Sequence, residues 1–255
     1  MSEQDDLRDL LQSWPYDAEN NLRIVRGRDG REVLQVRLPL GVEQLEMEGR
    51  PDGLRPHGKE SALEYHVERM AQAKAEGKLS KFELSAEECA ELFNEGTLYY
   101  FRYLHCFQLK RWPVTVRDTA RNLKLFDFVK RYAAREEDQE CLEKWRPYVV
   151  RMNAVARAMI ELENQDYARA IAIVTEAAKT IEALPELDEE TFKFERKRSL
   201  LALQELALQI EKMRPLSERE RLEKELKKAI AQQEFERAAG LRDRIRALRK
   251  KEEAR

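Results

Sequence analysis

The sequence is poor in the residues that chemistry most often recruits: three cysteines, three histidines, eight prolines and nine glycines in 255 residues. Cys89, Cys106 and Cys141 are too few and too widely spaced for a disulfide framework or a CxxC metal site, so they read as reduced, cytosolic residues. His57, His66 and His105 stand in no H-E-x-x-H or similar ligand spacing, and no metal site is expected. No run approaches the ~18 apolar residues of a membrane span. Residues 1–12 are acidic and lack the apolar stretch of a signal peptide, so the expected location is the cytoplasm, with no membrane role. An excess of one charge is missing too. Charged residues make up 38% of the chain yet cancel to −2, which suits a helical protein with ion-paired faces better than a general nucleic-acid binder.

Catalytic signatures are equally scarce. Gly53-Leu54-Arg55-Pro56-His57-Gly58-Lys59-Glu60 nearly spells a phosphate-binding loop between a strand-like run and a helix. Glu60 stands where a hydroxyl would hold magnesium, Pro56 removes a backbone donor, and no later apolar strand ends in a second metal carboxylate. Acidic Glu87 and Glu88 beside Cys89 raise a thiol's pKa rather than activate it. There is no Gly-x-Ser-x-Gly elbow. Neither a cofactor nor a catalytic residue is expected, and the chain reads as a binding protein more than an enzyme.

What is present is periodicity. Leu22 and Ile24, then Leu34, Val36 and Leu38 across an Asp29-Gly30 turn signal, then Leu45 and Met47, alternate with period two. They predict a small antiparallel meander, and three short strands need helices against one face. From Ser61 onward the period is helical. Ser61 with Glu64, Ser85 with Glu88 and Thr115 with Asp118 fit capping pairs, which predicts helices starting near 62, 86 and 116, with breaks at Gly77 and Pro113. The segment from Leu92 to Trp112 is dense in aromatics and is expected to supply the core. A base-stacking face using Arg102, Lys110 and Arg111 is the competing reading. Arg117 and Arg121, one turn apart, could together hold a phosphate or an acidic side chain, or pair with glutamates of a neighbouring helix.

The run from Pro147 to Leu184 resembles a tetratricopeptide-type helix pair, although it spans barely one repeat and lacks the early Trp-Leu-Gly signature. A further helix through Phe194, Leu200, Leu203, Leu206 and Ile210 should close it off before Pro215, where a hinge and a Ser217 cap are expected. The expected divisions are 1–58, 59–146, 147–213 and 214–255, in a mainly α chain with an N-terminal β-meander.

The last forty residues carry the sharpest pattern. Leu222, Leu226, Ala229 and Ile230 precede a polar break at Gln232–Glu234. Phe235, Ala238, Leu241, Ile245 and Leu248 follow at helical spacing, which predicts a short hairpin with one apolar stripe per arm. From Arg214 onward basic residues outnumber acidic ones by five. Leu226, Ala229, Phe235, Glu236, Ala238, Ala239, Leu241, Arg242, Asp243, Ile245 and Leu248 together resemble the UVR motif of the excision-repair proteins UvrB and UvrC. The likeness covers roughly the last sixth of the chain, with Glu234 where an Asp is more usual.

The resemblance implies a docking module that pairs with another copy of itself or with a partner protein, not a catalyst. On that footing Phe235, Leu241 and Ile245 are the expected anchors, and Glu236, Arg242 and Asp243 the residues that fix register. The protein is then an adaptor. The rival reading is an accessory factor of nucleotide excision repair whose basic tail touches DNA, and nucleic acid is the less favoured partner. A nucleotide-binding enzyme is the remaining and weakest alternative.

Overall fold

In the computed structural model, which describes residues 7–216 and 218–253 with side chains as far as Leu248, the chain divides into two units, Met1–Leu208 and Gln209–Arg255. After a short helix, α1 (Arg8–Ser13), the first unit opens on the meander. Strands β1 (Leu22–Arg26), β2 (Glu32–Leu38) and β3 (Gly41–Glu46) pair antiparallel in sequence order. Gly30 turns β1 into β2 at φ 80°, a conformation open to glycine because it has no Cβ. The register sets Ile24, Leu34 and Leu45 in one row across the sheet. That row, with Met47, buries against Cys106, Leu109 and Val114 of the helical layer. On the other face Arg37 is buried and donates to the carbonyls of Trp14 at 2.7 Å and Gly41 at 3.1 Å. Leu38, grouped by alternation with Leu34 and Val36, lies at the exposed end of its strand.

Two helices start where the capping pairs place them. Ser61 Oγ accepts the Glu64 N–H at 3.1 Å as α2 (Ala62–Ala75) begins. Ser85 and Glu88 form a reciprocal capping box at the head of α3 (Ala86–Gln108). The third expectation needs correction. Helix α4 runs from Trp112 to Tyr132, so it starts well before position 116. Pro113 lies in its first turn, where a missing N–H costs nothing, and so begins the helix rather than breaking it. Thr115 is buried inside that turn, with its hydroxyl donating to the Arg111 carbonyl at 3.4 Å.

The central core joins Leu63 of α2, Leu84, Leu92 of α3, and Leu125, Phe126, Phe128 and Val129 of α4. Tyr99 and Tyr103 are buried as the core reading requires, whereas Phe101 is exposed. Arg102 is wholly buried. Its guanidinium makes a two-pronged contact with Asp118 of α4 at 2.6 and 2.9 Å and donates to the carbonyls of Glu46 and Gly49 at 2.7 and 2.8 Å. One arginine therefore ties the end of the sheet to two helices, and it has no free face to offer a base.

Helix α5 (Glu136–Cys141) leads to a helical hairpin, α6 (Arg146–Glu163) and α7 (Tyr167–Glu182), with α6 also against α4. Then comes α8 (Glu190–Met213), whose buried residues include Phe192, Glu195, Ser199 and Leu203. Phe194, expected on the inner stripe, is exposed instead. Glu189 accepts the Phe192 N–H at 2.9 Å, and the first turn it anchors turns Phe192 inward. The second unit contains α9 (Glu218–Ala231) and α10 (Phe235–Glu253). No helix among the described residues is long and apolar enough to cross a membrane.

Candidate functional site

The turn between α9 and α10 follows from the chemistry of three residues. Gln233 takes a left-handed φ of 60°. The Gln233 N–H donates to the Ile230 carbonyl at 3.0 Å, and the Glu234 N–H donates to the Ala229 carbonyl at 2.8 Å. These two bonds form a Schellman closure, which satisfies the last carbonyls of α9 and reverses the chain. Arg237 pairs with Glu234 at 3.0 Å across the first turn of α10. A second ion pair steadies the entry to α9, where Arg214 reaches Glu220 at 2.5 Å and Glu211 at 3.0 Å.

The arms close on a single apolar seam. Leu222 and Ala229 of α9 meet Ala238 and Leu241 of α10, flanked by Leu226, Ile245 and Leu248. Ala238 keeps the arms close because it adds only a methyl group. Its neighbour Ala239 faces outward.

The six residues assigned to docking fall into three groups. Phe235 is 70% exposed, so its ring lies almost wholly outside the seam. Leu241 is 5% exposed and spent on the hairpin's own interior, while Ile245 is half-buried at its edge. Glu236, Arg242 and Asp243 are all exposed on α10. The structure thus brings Leu241 and Ile245 into one seam and leaves Phe235 apart from it. Ile230, read from the sequence as a stripe residue, is 43% exposed beside the turn and adds to the apolar surface. Its place three residues before Gln233, in the last turn before the polar break, is the signal that could have marked it. Ser217, the expected cap, lies outside the described residues.

Arg117 and Arg121 occupy a different setting, in the first unit. Arg117 pairs with Glu48 at 2.6 Å and Asp118 at 3.1 Å and donates to the Met47 carbonyl at 2.5 Å. Burial works against its charge, but the two carboxylates outweigh burial and raise its pKa. Arg121 binds Glu95 of α3 and lies 3.9 Å from the centre of the Tyr99 ring. Here burial prevails over the Glu95 attraction and the pKa falls from its usual arginine value. Both guanidiniums are engaged internally, the first toward the sheet and the second toward α3.

Sequence reasoning passed over the residue that organises this region. Glu95 is fully buried. It accepts the Ala62 and Leu63 N–H groups at 2.7 and 3.1 Å, and it binds Arg121 and, at 3.3 Å, Arg50. A carboxylate there satisfies donors at the head of α2 that Ser61 cannot reach. The near phosphate-binding loop also has internal partners. His57 stacks on Tyr65 with ring centres 4.0 Å apart and contacts Glu91 at 3.1 Å, and Lys59 pairs with Glu68 at 2.5 Å.

A family model described as the UvrB/uvrC motif matches residues 217–251, the stretch that carries the exposed ring and the seam. No curated protein and no solved structure matches the chain.

Proposed function

We propose that the protein is a non-enzymatic adaptor whose C-terminal hairpin docks another protein. The observation that carries this reading is the placement of Phe235. A phenylalanine that stays 70% exposed while smaller residues fill the seam beside it leaves apolar area for another molecule to cover. Such rings are typical anchors of interfaces, with charged neighbours setting orientation more than affinity. Phe235 is the anchor at the turn, the half-buried Ile245 offers a second apolar contact further along α10, the buried Leu241 holds the seam that carries them, and Glu236, Arg242 and Asp243 fix register. A partner carrying a similar hairpin, or a second copy of this chain, offers a matching seam. The test is capture by full-length bait compared with a Phe235→Ala bait. Partners held by the native chain should be lost from the variant while its helical content stays the same, and equal capture by the two baits rejects the reading.

The basic excess from Arg214 onward favours one second reading, an accessory role in excision repair with the tail on DNA. Duplex affinity that falls steeply with added salt supports that role. Apolar docking should respond little to salt.

A further inference from the structure

Helix α8 carries two apolar stripes, and the fold uses one of them. Phe192, Leu203 and Ile210 are buried, with the buried Glu195 and Ser199 between them. Phe194, Leu201 and Leu208 belong to the same helix and are 61%, 55% and 57% exposed. At about 100° per residue these three fall within about 20° of one line, half a turn away from the buried set. A surface helix ordinarily turns polar residues outward on that side. Large apolar side chains in a row there leave area for another molecule to cover.

The outer stripe has a symmetry of its own. With its two charged members it runs Phe194, Lys197, Leu201, Glu205 and Leu208, at steps of three, four, four and three residues, and all five are exposed. About the midpoint, Leu201, the order is mirrored: Phe194 answers Leu208, and the cation Lys197 answers the anion Glu205. Among the described residues neither Lys197 nor Glu205 forms an ion pair within the chain. A helix face with this order is complementary to itself run backwards. That is the condition for a two-fold contact, in which the same patch serves both partners.

We propose that the outer face of α8 binds a second copy of the chain. The two helices lie antiparallel with the two-fold axis at Leu201, each Phe194 against the partner's Leu208 and each Lys197 paired with the partner's Glu205. From Phe194 to Leu208 the stripe is roughly 21 Å long, enough for side chains to interdigitate along about four turns. One helix against one helix gives an interface at the small end, below roughly 1,200 Å², so the dimer has a Kd on the order of 10 µM. The apolar residues supply the affinity, and the two ion pairs fix direction and register. The hairpin takes no part in this contact, so each can fail without the other.

Sedimentation equilibrium of the full chain from about 1 to about 500 µM reads the association across that Kd. A monomer–dimer equilibrium is expected, unchanged in Phe235→Ala. Leu201→Glu sets two carboxylates face to face on the axis and should leave monomer throughout, with helical content unchanged because the position is exposed. Lys197→Glu and Glu205→Lys should each weaken the dimer about tenfold, by turning both pairs into repulsions. The double variant restores the pairs with their signs exchanged and should return to native affinity. Four results each overturn the proposal: a chain that is monomeric over the whole range, a dimer that survives Leu201→Glu, a dimer that Phe235→Ala removes, or a double variant no tighter than the single ones.

Discussion

The α6–α7 and α9–α10 hairpins make the same turn and put it to different use. Asn164-Gln165-Asp166-Tyr167 and Gln232-Gln233-Glu234-Phe235 each place a glutamine at φ near 60°, at 61° and 60° respectively. Each closes with the same pair of backbone bonds, 3.0 and 2.8 Å long in both, and each buries an alanine three residues after the aromatic, Ala170 or Ala238. The arms diverge from there. Helix α6 buries Met152, Ala154, Ala156 and Ala158, residues on two sides of the helix, because α4 covers it as well as α7. Helix α9 buries Leu222 and Ala229 along one side. On the second arms Val174 is buried where α10 has the exposed Arg242, and Tyr167 is half-buried where Phe235 stands out. Turn chemistry therefore decides that a hairpin forms, and the width of its apolar stripe decides whether it belongs inside a fold or on a surface.

Truncating the covered hairpin should break this contrast most. Ile181, fully buried on α7, is expected to cost about 2 to 5 kcal/mol when replaced by Ala, read by urea unfolding of the full chain. A loss under about 1 kcal/mol would mean that α7 is not the integral wall described. Asp166→Ala comes next. Asp166 accepts the Arg169 N–H at 2.9 Å, so the loss of that cap should lower stability by about 1 kcal/mol by the same measurement. Gly in place of Gln165 or Gln233 should act in the opposite sense by about 0.5 kcal/mol, since glycine takes the left-handed conformation without strain. Similar gains at both positions would confirm that the turns are equivalent; a gain at one alone would separate them. Phe235→Ala should do least, within about 0.5 kcal/mol, because the ring gives the monomer little burial. A larger loss would place that ring inside the fold.

These contrasts were unevenly legible in the sequence. Alternation and the Asp-Gly turn gave the meander, and the hydroxyl-carboxylate pairs gave the starts of α2 and α3, because each of those signals is local. Pro113 misled since a proline marks a helix's first turn as readily as its end, and only tertiary burial of Thr115 tells the two apart. Phe194 was mistaken for its neighbour Phe192 because helical phase depends on the cap at Glu189. In the candidate site, Phe235 could be picked out as a large ring with little nearby to cover it. For Arg117 and Arg121 the sequence offers internal pairing with glutamates as one reading, but not which carboxylates they meet, since Glu48 and Glu95 lie 69 and 26 residues away.

Glu95 also bears on how the chain comes together during synthesis. The amides at the head of α2 are served by a carboxylate 33 residues further along, so α2 emerges from the ribosome before its anchor does. Until α3 emerges, that helix end has only water and Ser61 to hold it. Its final form must then wait for its successor, and the nascent body assembles backward onto α2 rather than forward from it.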